Sequence, residues 1–361
     1  MSAANMAARS KKLRVGVVGC GAMGQNHLGV YQQLGDAVEI AALCDANPKR
    51  LEAAAKSWPQ ARTSADFQTF LEPADLDLVS VCTMPQSHCE IAVAALEKGA
   101  HVLCEKPFAM ELAQADRMLA TAARAGRHIQ VGTNMRHMRD TGILRDLVAS
   151  GKLGKPAYIR AWTYYPDIPW WGPHMIKAVS SGGALASTAI HILDAALYVA
   201  GSPDPLTVSG STHRLFPNKR LETAPSSEAR QSYDVEDIAV AHIRLSDGIS
   251  LVLEGTWAHE LRQSHYSFEI ICERGTISLT PLSILMDEGG KIVDRTADYA
   301  DTLPGGDSWG ESVEREISGF VTAIRQGGTP SQSPREIRNL QCVQDAIYQS
   351  AEMGCEIRLD Q

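Results

Sequence analysis

Apolar runs of strand length alternate with helix-like segments through the first third of this 361-residue chain. The runs at Leu13–Val18, Val38–Cys44 and Leu76–Cys82 are mostly apolar throughout, and shorter ones follow at His101–Cys104 and Ile129–Gly132. Strands of a parallel sheet are buried on both faces, so continuous apolar runs separated by helices indicate such a sheet. The pattern predicts a doubly wound α/β domain.

The alternation of strands and helices ends at about residue 134. From residue 206 onward, apolar strands follow one another with only short turns between them. Strands in series favour antiparallel pairing, so we expect a second, α+β domain with an open, mostly antiparallel sheet. We divide the chain into a disordered arm at 1–12, a dinucleotide-binding domain at 13–134 and a substrate-binding and oligomerisation domain at 135–361.

Composition and charge exclude several classes of protein. Lys and Arg number 34 against 42 Asp and Glu, a net charge of −8 that argues against a nucleic-acid binder. No apolar run approaches the roughly 18 residues of a membrane-spanning helix, so we expect no membrane protein. The eight cysteines form no C-x-x-C pair and the N-terminus has no signal-like apolar core, which favours the cytoplasm. No cluster has metal-ligand spacing, so neither a metal site nor a metal-dependent hydrolase is expected.

A glycine pattern follows the first strand and opens the first helix. Gly19 permits a tight turn, Gly21 lets the backbone approach a pyrophosphate, and Gly24 allows close packing of helix and strand. The helix N-terminus, at Ala22 and Met23, offers N–H groups to the phosphates. This strand–turn–helix setting predicts a dinucleotide site.

Asp45 ends the second strand, about 20 residues beyond the glycine pattern. A carboxylate there accepts hydrogen bonds from the adenosine ribose and repels a 2′-phosphate, so we expect NAD, with NADP less favoured. Lys49 and Arg50 follow closely and could soften that preference. The structural alternative is that Asp45 caps the helix that begins at Pro48, and the two roles are compatible.

Two further loops follow strands of the same sheet. Thr83, Pro85 and His88 come after the third long strand, where loops of an open α/β sheet line the ligand crevice. His88 either contacts the dinucleotide or caps the next helix. Glu105 and Lys106 precede a proline that confines Lys106 to an extended conformation and makes a cis bond plausible. We expect both to contact the cofactor.

Taken together, these motifs resemble those of the Gfo/Idh/MocA oxidoreductases, a family that includes glucose–fructose oxidoreductase and inositol dehydrogenases. The resemblance spans the chain from residue 13 to about residue 359. It rests on Gly19–Gly24 with His27, Glu105-Lys106-Pro107, Val131-Gly132-x-Asn134-x-Arg136, Gly182-Gly183, His191-x-x-Asp194 and Val235-Glu236-Asp237. It implies a Rossmann domain, an α+β domain whose open sheet builds a homodimer or homotetramer, and NAD(P)-dependent chemistry at a sugar or cyclitol hydroxyl.

The resemblance also implies that Lys106 and His191 are catalytic. In a helix over 183–199, Ser187, His191 and Asp194 share one face. Histidine, with an ordinary pKa of about 6.5, suits removal of a hydroxyl proton as hydride leaves. The alternative is a histidine that simply packs in the core.

One position departs from the family pattern. Many members that oxidise polyols carry an aspartate where this chain has Ser187, and a serine cannot stabilise an imidazolium by charge. We expect Asp194 to take over part of the task of orienting His191. Alternatively, Ser187 marks weakened or altered chemistry.

The segment Trp162–Lys177 is rich in aromatic residues and contains three prolines. Aromatic faces stack on the C–H faces of sugars, although such residues can equally pack between domains. Arg136 and His174 could anchor a hydroxyl or carboxylate. The predicted substrate contacts are Arg136, Tyr164, Trp170, Trp171 and His174.

The predicted function is oxidation of a secondary hydroxyl of a sugar, sugar derivative or cyclitol. His191 acts as general base, Lys106 assists, and hydride passes to nicotinamide C4. Alternatives are a non-carbohydrate substrate such as a dihydrodiol, or a catalytically silent NAD(P)-binding regulator.

Overall fold

The computed structural model describes residues 12–170, 172–216, 226–299 and 308–359. Contacts divide these residues into two compact units. One contains the described residues up to Gly132 together with Val313–Arg338, and the other contains Thr133–Ser312 with the residues from Asn339 onward. The predicted arm, apart from Lys12, and the predicted substrate contact Trp171 lie outside the described residues.

A six-stranded sheet forms the centre of the first unit. Its strands are β1 (Leu13–Val18), β2 (Val38–Cys44), β3 (Arg62–Ser64), β4 (Leu78–Val81), β5 (His101–Cys104) and β6 (Ile129–Val131). They lie in the order β3-β2-β1-β4-β5-β6, and all neighbours are parallel. This is the strand order of dinucleotide-binding sheets, which bind ligands where the order reverses, between β1 and β4.

Helices cover both faces of this sheet. They are α1 (Ala22–Gln33), α2 (Pro48–Ser57), α3 (Phe67–Leu71), α4 (His88–Glu97) and α5 (Leu112–Ala125). Val17 of β1 packs in one apolar cluster with Leu28 of α1, and Val18 packs in another with Ile91 of α4. Successive β1 residues thus face opposite layers, which explains the continuous apolar runs and confirms the predicted α/β fold.

One C-terminal segment belongs to the first unit, whereas the sequence analysis places it in the second domain. It is Val313–Arg338, which includes most of helix α11 (Trp309–Gln326). Ile317 and Phe320 of this helix pack in the cluster that contains Leu28. An apolar helix stripe can cover either sheet, so the sequence pattern does not reveal which one it covers.

A nine-stranded sheet forms the centre of the second unit. Its strands are β7 (Pro156–Tyr164), β8 (Pro205–His213), β9 (Ile238–Leu245), β10 (Ser250–Thr256), β11 (His265–Cys272), β12 (Gly275–Ser278), β13 (Ser283–Asp287), β14 (Ile292–Asp294) and β15 (Ile357–Arg358). The order is β14-β13-β12-β11-β7-β10-β9-β8-β15. Only β7 and β10 pair in parallel among these described strands. The mostly antiparallel sheet is therefore confirmed.

Helices pack against one face of this second sheet. The remaining helices are α6 (Arg139–Ala149), α7 (Lys177–Ser180), α8 (Ile190–Val199), α9 (Ser227–Gln231), α10 (Thr296–Tyr299) and α12 (Pro334–Met353). Ile159 and Ala161 of β7 share a core with Ile192 of α8. The other face carries polar and partly exposed residues, including Val240 at 39% and Ile271 at 41% exposure.

The segment Lys177–Val199 is long and apolar enough to cross a membrane by length and composition. The expectation that no apolar stretch approaches this length is therefore wrong. In the folded chain, 94% of its most apolar window is buried by protein, as in the core helix of a globular domain.

Candidate active site

The glycine turn at the end of β1 is shaped by close backbone approaches. Gly19 has a φ of 95°, in the region that favours glycine. A Cβ on Gly24 would lie 1.9 Å from the carbonyl oxygen of Gly19, so α1 can sit against the turn only without a side chain there. The turn is therefore as tight as a dinucleotide-binding loop requires.

Gly21 precedes α1 as its N-terminal cap residue. A Cβ there would project to the open side of the turn, with Arg50 Nη1 at 3.7 Å. Ala22 and Met23 begin the helix, whose first N–H groups have no acceptor within the helix. Open space and unused donors at this position fit the pyrophosphate of a dinucleotide.

Asp45 connects the end of β2 to the glycine turn. Its Oδ2 accepts the Cys20 N–H at 2.8 Å, and its Oδ1 accepts the Asn47 N–H at 2.7 Å. Helix α2 is capped instead by Asn47, which accepts from the N–H groups of Lys49 and Arg50. The alternative that Asp45 caps this helix is therefore wrong, because the cap position falls two residues later.

His88 is the first residue of α4 and is completely buried, at 0% exposure. Its Nδ1 lies 2.9 Å from the Pro107 carbonyl oxygen and its Nε2 lies 3.1 Å from the Thr83 carbonyl oxygen. The structure contradicts both predictions for His88, because Ser87 is the cap residue of α4 and the His88 ring has no exposed surface to offer a cofactor. The ring instead joins two loops that follow β4 and β5. Thr83 and Pro85 lie in the first of these loops, where the Ser87 hydroxyl donates to Thr83 at 2.8 Å.

The Glu105–Pro107 loop leaves the carboxyl end of β5 with a cis Lys106–Pro107 peptide bond. Glu105 is 6% exposed, and its Oε1 lies 3.0 Å from Nε2 of His27 on α1. Burial lowers the pKa of Lys106, while the neighbouring Glu105 carboxylate opposes that change. An amine at such a strand end can face a ligand bound at the edge of the sheet.

In the second unit, the helix predicted over 183–199 is interrupted. A π-helical turn at Leu185–Ala189 contains Ser187, and regular α-helix begins at Ile190, so His191 lies in its first turn. Ser187 and His191 are buried, at 1% and 9% exposure. The wider π turn changes the spacing between Ser187 and His191, so regular helix geometry does not place them on one face. Such turns are frequent at functional sites.

Arg136 and Asp194 form a bidentate ion pair in the second unit. The Arg136 Nε and Nη2 groups donate to the two Asp194 carboxylate oxygens at 2.7 and 2.6 Å. Both side chains are 3% exposed, and the guanidinium also lies over the Tyr198 ring at 4.7 Å. The predicted substrate anchor thus directs two of its donors into the protein rather than toward a ligand.

Sequence reasoning missed a buried carboxylate at the start of the His191 segment. Glu236 accepts the Gly183 and Leu185 N–H groups at 2.8 and 2.9 Å, and the Tyr348 hydroxyl at 3.0 Å. Burial raises the pKa of Glu236. Its place in the Val235–Asp237 motif was a signal, but nothing in the motif shows which N–H groups it would meet.

The predicted aromatic contacts separate into different environments. Trp170 packs on Phe216 and Tyr233, with ring centroids 5.5 and 6.3 Å away, in an apolar cluster of the second unit. The sequence left open packing between the domains, but this packing lies within the second unit. His174 is half-buried in a short 3₁₀ turn at Gly172–Met175.

Tyr164 lies on the open face of the second sheet, where its hydroxyl bonds the Glu254 carboxylate. Side chains alternate along β7, and Ile159 and Ala161 are the residues that face the core containing α8. Tyr164 therefore lies on the face of the sheet opposite the His191 helix, and its contact with the substrate stays a prediction. Within the described ranges, no group of three or more His, Cys, Asp or Glu side chains could hold a metal ion.

Comparisons with known proteins agree with this architecture. Residues 13–133 match the oxidoreductase family with an NAD-binding Rossmann fold, and residues 143–278 match the Gfo/Idh/MocA C-terminal domain. The D-glucoside 3-dehydrogenase of Escherichia coli (strain K12) is 28% identical over 97% of this chain and 98% of that protein. Myo-inositol 2-dehydrogenase of Thermotoga maritima is 25% identical over 97% of this chain and 99% of that protein.

A solved levoglucosan dehydrogenase, in complex with NADH and levoglucosan, has the same fold. It superposes with a TM-score of 0.84 over 97% of this chain and all of that one, at 24% identity. Both domains, the strand order and the glycine turn thus lead to one conclusion. The chain belongs to the Gfo/Idh/MocA family of oxidoreductases, and its first unit is an NAD-binding Rossmann domain.

Proposed function

We propose that this protein is an NAD-dependent dehydrogenase that oxidises a secondary hydroxyl of a sugar, sugar derivative or cyclitol. The observation that carries the proposal is Lys106, placed beside a buried carboxylate at the carboxyl end of β5 in an NAD-binding sheet. The relatives named for D-glucoside, myo-inositol and levoglucosan support this substrate class.

The residues that would hold NAD are those of the glycine turn and Asp45. Gly21 and the first turn of α1 would receive the pyrophosphate, and Asp45 the adenosine ribose hydroxyls. Thr83 and Pro85, in the loop after β4, would line the same crevice. Bound NAD supplies the hydride acceptor at nicotinamide C4.

Lys106 would donate a hydrogen bond to the substrate hydroxyl and so orient its carbon. His191 would accept the hydroxyl proton while the hydride leaves that carbon, so the alcohol becomes a ketone and the imidazole carries one proton more. Ser187, in the turn before His191, would hydrogen-bond rather than charge-stabilise the protonated ring. His174 and Trp171 are proposed to contact the substrate.

Turnover with a substrate panel tests the proposal. NADH formation is measured with inositols, pyranosides and dihydrodiols, and the reverse reaction with the ketones. Lys106→Met and His191→Gln should lower kcat by about 100-fold or more, and His191→Gln should leave NAD affinity unchanged. The exposed-site controls Lys98→Met and His213→Gln should keep kcat near the wild-type value. A protein that binds NAD but shows no turnover in either direction would contradict the proposal and favour a regulatory protein.

We further propose a homodimer or homotetramer in the cytoplasm. The open face of the second sheet, with partly exposed Val240 and Ile271, would meet a second copy of the chain. All eight cysteines carry thiols, as expected in a reducing compartment. Sedimentation of Val240→Lys and Ile271→Lys variants tests the assembly, and an unchanged oligomer in both would contradict this interface.

A further inference from the structure

Four buried polar side chains form a hydrogen-bonded chain in the first unit. The Tyr31 hydroxyl lies 2.6 Å from Ser80 Oγ, which lies 3.1 Å from His27 Nδ1, and His27 Nε2 lies 3.0 Å from Glu105 Oε1. Exposure is 6% for Glu105 and at most 1% for the other three. The chain runs from helix α1 through β4 to the loop that carries Lys106.

The direction of these hydrogen bonds follows from what each group can donate. An ionised Glu105 only accepts, so His27 donates from Nε2. The other ring nitrogen, Nδ1, then accepts from Ser80, and the Ser80 oxygen accepts from Tyr31. Burial raises the pKa of Tyr31, which keeps its phenol a donor. Every donor thus points toward Glu105, and such an arrangement stabilises a buried carboxylate.

Further contacts hold the Glu105 loop in place. A Cβ on Gly132, directly after β6, would lie 2.9 Å from Glu105 Oε1, so glycine leaves room for the carboxylate. The Lys106 backbone N–H lies 3.3 Å from Glu105 Oε2. On the other side, the His88 ring contacts the Pro107 carbonyl oxygen at 2.9 Å. The loop is therefore held by α1 and α4, and its carboxylate lies close to the end of β6.

We propose that His27 and Glu105 are positioning residues for Lys106: the buried chain fixes Glu105 as an anion, and this anion keeps Lys106 an ammonium ion. The inference rests on the proposed role of Lys106 as a donor to the substrate hydroxyl. An ammonium group donates with all three hydrogens, whereas a neutral amine is a weaker donor.

Other titratable groups also face this chain. They include Cys82 and Cys104 at the ends of β4 and β5, Glu316 on α11, and the buried His88 at the start of α4. Burial raises the pKa of both thiols well above the usual range, so they remain neutral. Burial lowers the pKa of Lys106, and the Glu105 carboxylate opposes part of that change.

Competitive labelling of the protein without substrate tests the charge of Lys106. Acetic anhydride acetylates neutral amines, so the pH dependence of labelling at Lys106, relative to exposed Lys98, reports its protonation. Glu105→Gln keeps the size of the side chain and removes its charge, so Lys106 should titrate about one pH unit lower. A titration curve identical to that of the wild type would overturn the proposal.

Kinetics of His27 variants test the positioning. His27→Leu removes the donor to Glu105 and should lower kcat about tenfold with NAD affinity within twofold, while His27→Gln, whose amide can donate to Glu105, should recover most of the loss. Equal activity of the two variants would overturn the proposal. If His27→Leu does not fold, Ser80→Ala interrupts the same chain and should lower kcat severalfold; unchanged kcat would then overturn it.

The two proposals fail in different ways. A wild-type enzyme that is silent with every substrate contradicts the dehydrogenase function, while the labelling experiment still decides the charge of Lys106. If the wild type is active and Glu105→Gln leaves the titration of Lys106 unchanged, only the positioning role of His27 and Glu105 is contradicted.

Discussion

Arg136 and Asp194 hold one another in a bidentate ion pair at 3% exposure each. Sequence reasoning assigns the first residue to the substrate and the second to the His191 imidazole. In the structure, the pair joins the 3₁₀ turn at Asn134–His137 to helix α8, which carries His191. The ion pair therefore fixes the helix in place.

Removing one partner of this pair should destabilise the protein. Asp194→Asn leaves a buried guanidinium without its counter-charge, so the free energy of unfolding should fall by about 3–5 kcal/mol in urea titrations. In the double variant Arg136→Leu/Asp194→Leu, the free energy of unfolding should fall by less than the sum of the falls in Arg136→Leu and Asp194→Leu, because neither charge remains. Asp194→Asn with unchanged stability would contradict this role. Unchanged kcat/KM and pH profile would remove any part of Asp194 in orienting His191.

Asp45 should control the choice of coenzyme. Asp45→Ser removes the charge that repels a 2′-phosphate, and Arg50 Nη1 already lies near the glycine turn. The ratio of kcat/KM for NADP to that for NAD should therefore rise by about 100-fold. Adding Arg50→Ala should reverse part of that gain. A ratio unchanged by Asp45→Ser would show that the specificity lies elsewhere.

Replacing each of two glycines in α1 by alanine should change the stability of the protein in opposite directions. A Cβ at Gly24 would meet the Gly19 carbonyl oxygen at 1.9 Å, so Gly24→Ala should cost about 3 kcal/mol and weaken NAD binding. At Gly29 nothing lies within 4 Å of the added carbon, and Gly29→Ala should add about 0.5–1 kcal/mol through helix propensity. Thermal unfolding with and without NAD measures both, and equal effects would contradict the close packing.

Glu236 should make stability depend on pH. Its pKa is raised in the folded state by burial, so its contribution is fully present below the ordinary glutamate pKa and is lost as pH rises through the raised value. The free energy of unfolding of the wild type should therefore exceed that of Glu236→Gln, and this difference should be largest at acid pH and shrink toward neutral pH. Glutamine keeps one acceptor oxygen, so the variant loses one of the two backbone hydrogen bonds, which should cost it about 1–3 kcal/mol. A stability difference that grows with pH would contradict the raised pKa.

Some of the candidate site follows from local sequence. The glycine turn depends on backbone space within six residues, and the carboxyl ends of parallel strands meet at one edge, so Gly19, Asp45 and Lys106 could all be located from the sequence. His88 and Tyr164 could not. His88 begins a helix and Tyr164 ends an alternating strand. The burial of His88 and the sheet face of Tyr164 depend on neighbours far along the chain.

The pattern of apolar runs and the spacing of the glycines determine a nucleotide-binding α/β sheet followed by an antiparallel sheet. They can do so because strand burial and tight turns are local properties of the sequence. Only the tertiary structure decides that helix α11 covers the first sheet, that Asp194 pairs with Arg136, and that His27 reaches Glu105. These are contacts between residues far apart in sequence. Their partners are chosen by packing and by the cost of burying a charge alone, neither of which short sequence patterns record.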